Sequence, residues 1–134
     1  MLFVLLALFA PGTRLPGADR TPGVLPGLTR LVGREPDGQF TRCLAAAGDV
    51  NGDGFADLVV GAPLDDQAGL DSARVYVYYG SKSGLAGSPG WVRHLPLTIR
   101  DRFSSDLQAY FGCSVASAGD FNGDGFADIV AGAN

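Results

Sequence analysis

From Phe40 onward, apolar residues fall in short runs separated by polar, glycine-rich stretches. Runs this short, rich in Val and Tyr and bounded by Gly, Asp and Ser, have the pattern of strands and not of helices. The pattern predicts strands over 40–47, 58–62, 73–79 and 91–95. ARVYVYY at 73–79 alternates and is aromatic, which makes it the clearest strand in the chain, and Trp91 anchors the fourth. Residues 64–72 read as a polar loop, GSKSG at 80–84 as a turn, and 97–110 as a polar stretch before the pattern restarts at Phe111.

The first 39 residues are different. Residues 1–10, MLFVLLALFA, are one apolar run. The run is too short to cross a bilayer core of about 30 Å as a helix, but it suits the apolar region of a secretory signal. Against that, no Lys or Arg precedes it and Pro11 follows it. Residues 11–39 hold five of the eight prolines and no sustained periodicity, so they read as a disordered linker. The expected divisions are therefore 1–10, 11–39, a first repeat over 40–110 and the start of a second over 111–134.

The repeat is explicit. Residues 40–63, FTRCLAAAGDVNGDGFADLVVGAP, align with 111–134, FGCSVASAGDFNGDGFADIVAGAN, at 15 of 24 positions. Self-similarity at a fixed offset marks a repeat architecture. Each copy places oxygen-bearing side chains at alternate positions: Asp49, Asn51, Asp53 and Asp57, then Asp120, Asn122, Asp124 and Asp128. Calcium is a hard cation that takes six to eight oxygens in a flexible shell. Acceptors at loop positions 1, 3 and 5, a main-chain carbonyl at 7 and a carboxylate at 9 can supply that shell. The carbonyls belong to Phe55 and Phe126. Gly54 and Gly125 stand at position 6, where a positive φ is expected. The alternative is a solvated acidic turn, since Asp, Asn and Gly form turns anyway. A generic turn has no reason to repeat its carboxylate spacing, and clustered carboxylates repel one another without a cation.

An EF-hand has the same first half but needs a bidentate Glu at position 12 and flanking helices. Position 12 here is Val60 or Ala131, and the flanks LVVGA and IVAGA carry strand signals. The loop chemistry is EF-like on a β scaffold.

Composition changes the picture little. At 134 residues, 46% hydrophobic and 18% charged, the chain is globular and at most one domain. Net charge is −4, and two bound Ca²⁺ ions would bring it to zero. The acidic balance and the lack of a basic cluster argue against nucleic acid as a partner. Nine of the ten basic residues are Arg, a matter of genomic base composition. Cys43 and Cys113 are one register apart in the aligned repeats, so a disulfide between them is not expected.

Enzymatic constellations are missing. His94 is the sole histidine, there is no G-x-S-x-G elbow or P-loop, and GDGFAD at 52–57 lacks the last glycine of a dinucleotide fingerprint. Asp65–Asp66 and Asp101 with Asp106 lie in polar stretches, where solvated loop charge is the expected reading. The expectation is a non-enzyme.

Phe111-Gly112 opening a strand, the D-x-N-x-D-G-x-x-D loop and Gly61-Ala62-Pro63 closing the next strand together resemble the FG-GAP repeat. That repeat builds integrin α-subunit propellers and many bacterial secreted or surface proteins. The resemblance covers about residues 36–134. It implies an all-β fold of four-stranded antiparallel propeller blades. It also implies calcium loops between the first two strands of each blade, two structural Ca²⁺ ions, and Phe55 and Phe126 packed inward behind the loops. The departures are Phe40-Thr41 in place of Phe-Gly and Gly132-Ala133-Asn134 in place of Gly-Ala-Pro.

About one and a half blades make an incomplete ring, so a fragment of a larger propeller is expected, partnered by further FG-GAP blades. By the same resemblance the protein is secreted or on the cell surface and binds an extracellular protein or carbohydrate ligand, with no membrane span in this chain. The arginine bias and simple loops lean toward a bacterial member. The alternatives are an accessory propeller of a secreted enzyme, such as a phospholipase or polysaccharide-degrading protein, and an EF-hand-like calcium sensor.

Overall fold

The computed structural model describes residues 5–6, 29–33, 39–65, 73–94 and 110–133. Among the described residues eight strands run in chain order: β1 (Leu5–Leu6), β2 (Arg30–Leu31), β3 (Cys43–Gly48), β4 (Asp57–Ala62), β5 (Arg74–Tyr78), β6 (Trp91–His94), β7 (Ser114–Gly119) and β8 (Asp128–Gly132). The described residues contain no helix. Strands β3 to β6 form one four-stranded antiparallel sheet in sequence order. Strands β7 and β8 form the first hairpin of a second, with the same pairing as β3 and β4. The fold is all-β, with one complete blade-type sheet and the opening half of the next. The predicted polar stretch at 97–110 lies outside the described residues except for Tyr110, as does most of the loop at 64–72.

Period-two alternation divides the first sheet into two apolar faces. Val60, Ala62, Tyr76 and Tyr78 point one way, against Phe40 and Leu31. Val59, Val75 and Val77 point the other way, against Phe111, Val115, Ile129 and Ala131 of the second repeat. Tyr76 and Tyr78 each meet the Phe40 ring edge-on, with centroids 5.6 and 6.4 Å apart. A sheet covered on both sides explains why β4 reads as an unbroken apolar run, LVV, where a one-sided strand would alternate. Leu31 is buried, and Thr29 Oγ1 donates to the Leu85 carbonyl at 3.1 Å. Part of the segment read as linker therefore packs onto the first sheet. With Val32, Leu31 makes an apolar pair between Arg30 and Gly33, too short to give a periodic signal in the sequence.

The seam between repeats explains the sequence motif. At Gly61, a Cβ would collide with the main-chain carbonyl of Gly112. Gly112 itself has φ +82° and lies against the Arg74 carbonyl and Val75. The Phe-Gly of one repeat therefore seats on the Gly-Ala of the preceding one, backbone to backbone, and only glycine leaves room on both sides.

Each repeat enters its first strand through a turn: Arg42 N–H donates to the Gln39 carbonyl, and Cys113 N–H to the Tyr110 carbonyl. The turn needs a left-handed residue. The second repeat has Gly112 there, but the first has Thr41 at φ +68°. A β-branched residue in that region costs about 1–2 kcal/mol, and glycine regains most of it while adding chain entropy of about 0.5–1 kcal/mol. Thr41→Gly is therefore expected to stabilise the chain by roughly 0.5–1 kcal/mol, read as a rise in the urea midpoint at unchanged slope. A fall in the midpoint would show that the turn is not strained.

Candidate metal centre

Both acidic loops leave their sheets through the same irregularity. The register shifts between Ala46 and Gly48 in the first repeat and between Ser117 and Gly119 in the second. This bulge kinks the strand end, and Gly48 and Gly119 take positive φ to turn the chain outward. The glycines at loop positions 4 and 6 are also left-handed in both copies, including Gly54 at φ +85° and Gly125 at +92°, as position 6 requires.

The hydrogen bonds made by loop positions 1, 3 and 5 coincide in the two copies. Asp49 Oδ1 accepts from Gly52 and Asp53 N–H at 2.7 and 3.0 Å, and its Oδ2 accepts from Gly54 N–H at 2.8 Å. Asp120 does the same for Gly123, Asp124 and Gly125 at 2.8, 3.0 and 3.0 Å. Asn51 and Asn122 accept from the Asp53 and Asp124 amides, and their side-chain N–H₂ groups donate to the carboxylates of the same aspartates. Asp53 and Asp124 in turn accept from the Phe55 and Phe126 amides. One carboxylate at position 1 thus winds the loop around itself by taking three main-chain donors.

Asp57 does a separate job. It is buried, and it accepts from Val50 N–H at 2.9 Å and from Gly80 N–H at 2.7 Å, tying the loop to the end of β5. Asp128 accepts from Phe121 and Asn122 N–H at 2.9 and 3.3 Å.

Every candidate ligand is an oxygen, and the two loops share one scaffold, so the donor set fits a hard cation. Among the described residues, no group of three or more His, Cys, Asp or Glu side chains is arranged to hold a metal ion. The carboxylates are turned onto backbone N–H groups, which is how an acidic loop satisfies itself.

Three expectations are corrected here. Phe55 and Phe126 are not core: they are 41% and 44% exposed. Phe55 lies within the solvent-facing first loop, and the ring of Phe126 lies over Gly52 of that loop. Asp65 is no solvated loop charge. It is buried, accepts from the Tyr76 hydroxyl, and stands 3.7 Å from Arg74 Nε. Burial, then the Asp65 hydrogen bond and charge, hold the Tyr76 phenol well above its usual pKa, which suits a structural tie and not a nucleophile. Asp66, Asp101 and Asp106 lie outside the described residues. His94 is exposed on β6, next to Arg93, whose guanidinium covers the Trp91 ring at 4.6 Å. Cys43 and Cys113 are free thiols, with Cys43 Sγ against the Cys113 carbonyl.

Four antiparallel strands in sequence order, an acidic loop between the first two, and a second sheet opening the same way define blades of a β-propeller. Residues 44–78 and 111–134 match the FG-GAP repeat family. Mouse integrin alpha-E is 40% identical over 110 residues, covering 80% of this chain and 8% of the relative. Integrin alpha pat-2 of Caenorhabditis briggsae is 37% identical over 113 residues, or 84% and 9%. Bovine integrin alpha-2 is 40% identical over 97 residues, or 71% and 8%. The chain belongs to the FG-GAP repeat family and is homologous to integrin α subunits over most of its length. It spans under a tenth of the length of these relatives.

Proposed function

We propose that this chain is a calcium-braced section of an extracellular or cell-surface propeller that binds a protein or carbohydrate ligand or supports adhesion, with no catalytic role of its own. The observation that carries the reading is the pair of matching loops at one end of adjacent blades, in a chain similar to integrin α subunits. Candidate ligands are Asp49, Asn51, Asp53, the Phe55 carbonyl and Asp57 in the first loop. In the second they are Asp120, Asn122, Asp124, the Phe126 carbonyl and Asp128.

Calcium supplies charge neutralisation and a fixed point for five oxygens. Its entry requires the Asn51 and Asn122 amide groups to release Asp53 and Asp124. The loops are exposed, and their glycines at positions 4 and 6 already take the left-handed conformation. An ion held this way contributes folding free energy, because the unfolded chain has no such site. Two weak sites suit millimolar extracellular calcium, in the range of about 10⁻⁴–10⁻³ M. The EF-hand alternative has no support from the flanks, which are strands β3, β4, β7 and β8. Among the described residues no helix is long and apolar enough to cross a membrane.

Calorimetric titration of the full chain with CaCl₂ tests the reading. Two sites are expected, with Asp53→Ala and Asp124→Ala each removing one. Absence of heat from a folded wild-type sample would overturn it.

A further inference from the structure

The two acidic loops touch each other. Phe126, the seventh residue of the second loop, places its ring edge on the space that a side chain at Gly52 would fill. The next amide, Ala127 N–H, donates to the main-chain carbonyl of Asp49 at 2.8 Å. A Cβ on Gly48 would meet the Ala127 Cβ at 2.7 Å. Just below, Ser117 Oγ donates to the Ala47 carbonyl at 2.8 Å.

These contacts fall on the residues that set the first loop's shape. Asp49 winds that loop through its carboxylate, and its own peptide is pinned from behind by Ala127. Gly52 stands at φ +78°, directly under the Phe126 ring. The same positions in the second loop, Gly119 and Gly123, have open space around them. The first loop is therefore braced by the second, while the described residues bring nothing to brace the second.

We propose that Phe126 and Ala127 are positioning residues for the first loop, and that the two loops take calcium as a coupled pair. The inference rests on the calcium reading above. The Phe126 carbonyl is a candidate ligand of the second loop, so a cation there would fix the peptide that carries the Phe126 ring and adjoins the Ala127 N–H. With that brace set, less conformational freedom remains to be lost when the first loop orders. Coupling of this kind is reciprocal, and here it runs through direct contacts and needs no long-range path.

Site-resolved titration tests this. Amide spectra of the full ¹⁵N-labelled chain follow Gly52 and Gly54 for the first loop, and Gly123 and Gly125 for the second, as CaCl₂ is added. Phe126→Ala keeps the main-chain carbonyl and removes only the ring. It is expected to weaken calcium binding at the first loop about fivefold or more, within the usual range of coupling between sites. The milder Phe126→Leu is expected to give a smaller loss. Phe121→Ala removes a ring from the same loop that is 86% exposed, and is expected to leave the first loop unchanged. Core amides such as Val59 and Val77 report in the same spectra that each variant is folded.

If the wild-type glycines of both loops respond but Phe126→Ala leaves the first-loop affinity unchanged, the coupling is overturned and the calcium reading survives. If no wild-type glycine responds, the calcium reading itself falls, and the coupling with it.

Discussion

Replacing Gly61 with valine is expected to unseat the second repeat from the first and to cost about 3 kcal/mol or more. A Cβ at this position runs into the carbonyl oxygen of Gly112, and neither partner is a flexible side chain. Relief requires β4 or the Phe111-Gly112 turn to move. Both are committed: Gly61 pairs with Cys43 and Val75, and Gly112 N–H donates to the Gly132 carbonyl. Moving the turn also draws Phe111 off Val59, Val75 and Val77, which opens the apolar seam. Two controls isolate the effect. At Gly132, the same motif position in the second repeat, a Cβ would meet only the Ser114 hydroxyl, which can rotate away, so Gly132→Ala is expected to be much milder. Gly87 has open space and no left-handed φ, so Gly87→Ala should fall within about 0.5 kcal/mol of wild type. Urea unfolding of the four proteins ranks them. Equal midpoints for Gly61→Val and Gly87→Ala would mean that the repeats are not seated backbone to backbone.

Asp57→Ala is the second large effect, expected at about 2–4 kcal/mol without any metal present. Its carboxylate satisfies two backbone donors, Val50 N–H and Gly80 N–H, from segments far apart in the chain. Removing it leaves both without a partner, and each donor stranded away from water costs about 1–3 kcal/mol. Asp49→Ala also strips hydrogen bonds, but from an exposed loop where water replaces them, so it should cost less in metal-free buffer. The order separates two roles that look alike in sequence: Asp49 winds the first loop, and Asp57 ties it to the blade. If Asp49→Ala proves the more destabilising in chelator, the tie through Asp57 is not carrying the load assigned to it.

Much of this was legible in the sequence. The strands fall within a few residues of the predicted runs, because each is bounded by glycine or by the acidic loop and its Val and Tyr content suits a pleated, buried surface. The loops are where the repeat put them, with left-handed glycines at position 6. The first strand begins at Cys43, later than the apolar pattern suggests, because Phe40 belongs to a turn and packs from it. What could not be read is contact between segments distant in sequence. Leu31 and Val32 are a two-residue apolar pair in a Pro- and Gly-rich stretch, so no periodicity marks Leu31 as part of the core. Asp65 sits in a polar run, and its partners Tyr76 and Arg74 come from β5. Phe126 looks like an apolar residue behind its own loop. Its seat is a glycine of the other repeat, a site that exists only after the two sheets stack. Thr41 shows the reverse case: aligning the repeats identified the departure from glycine, and the positive φ gives its physical meaning.

The central claim is that calcium braces the paired loops, and thermal unfolding of the full chain in chelator and in increasing CaCl₂ tests it most directly. Ligand that binds only the folded state stabilises by RT ln(1 + [L]/Kd), so Tm should climb with calcium once its concentration exceeds about 10⁻⁴–10⁻³ M. The Asp53→Ala/Asp124→Ala double variant should lose that climb. A wild-type Tm that stays fixed from chelator to millimolar calcium would contradict the claim and leave the two loops as self-satisfied turns.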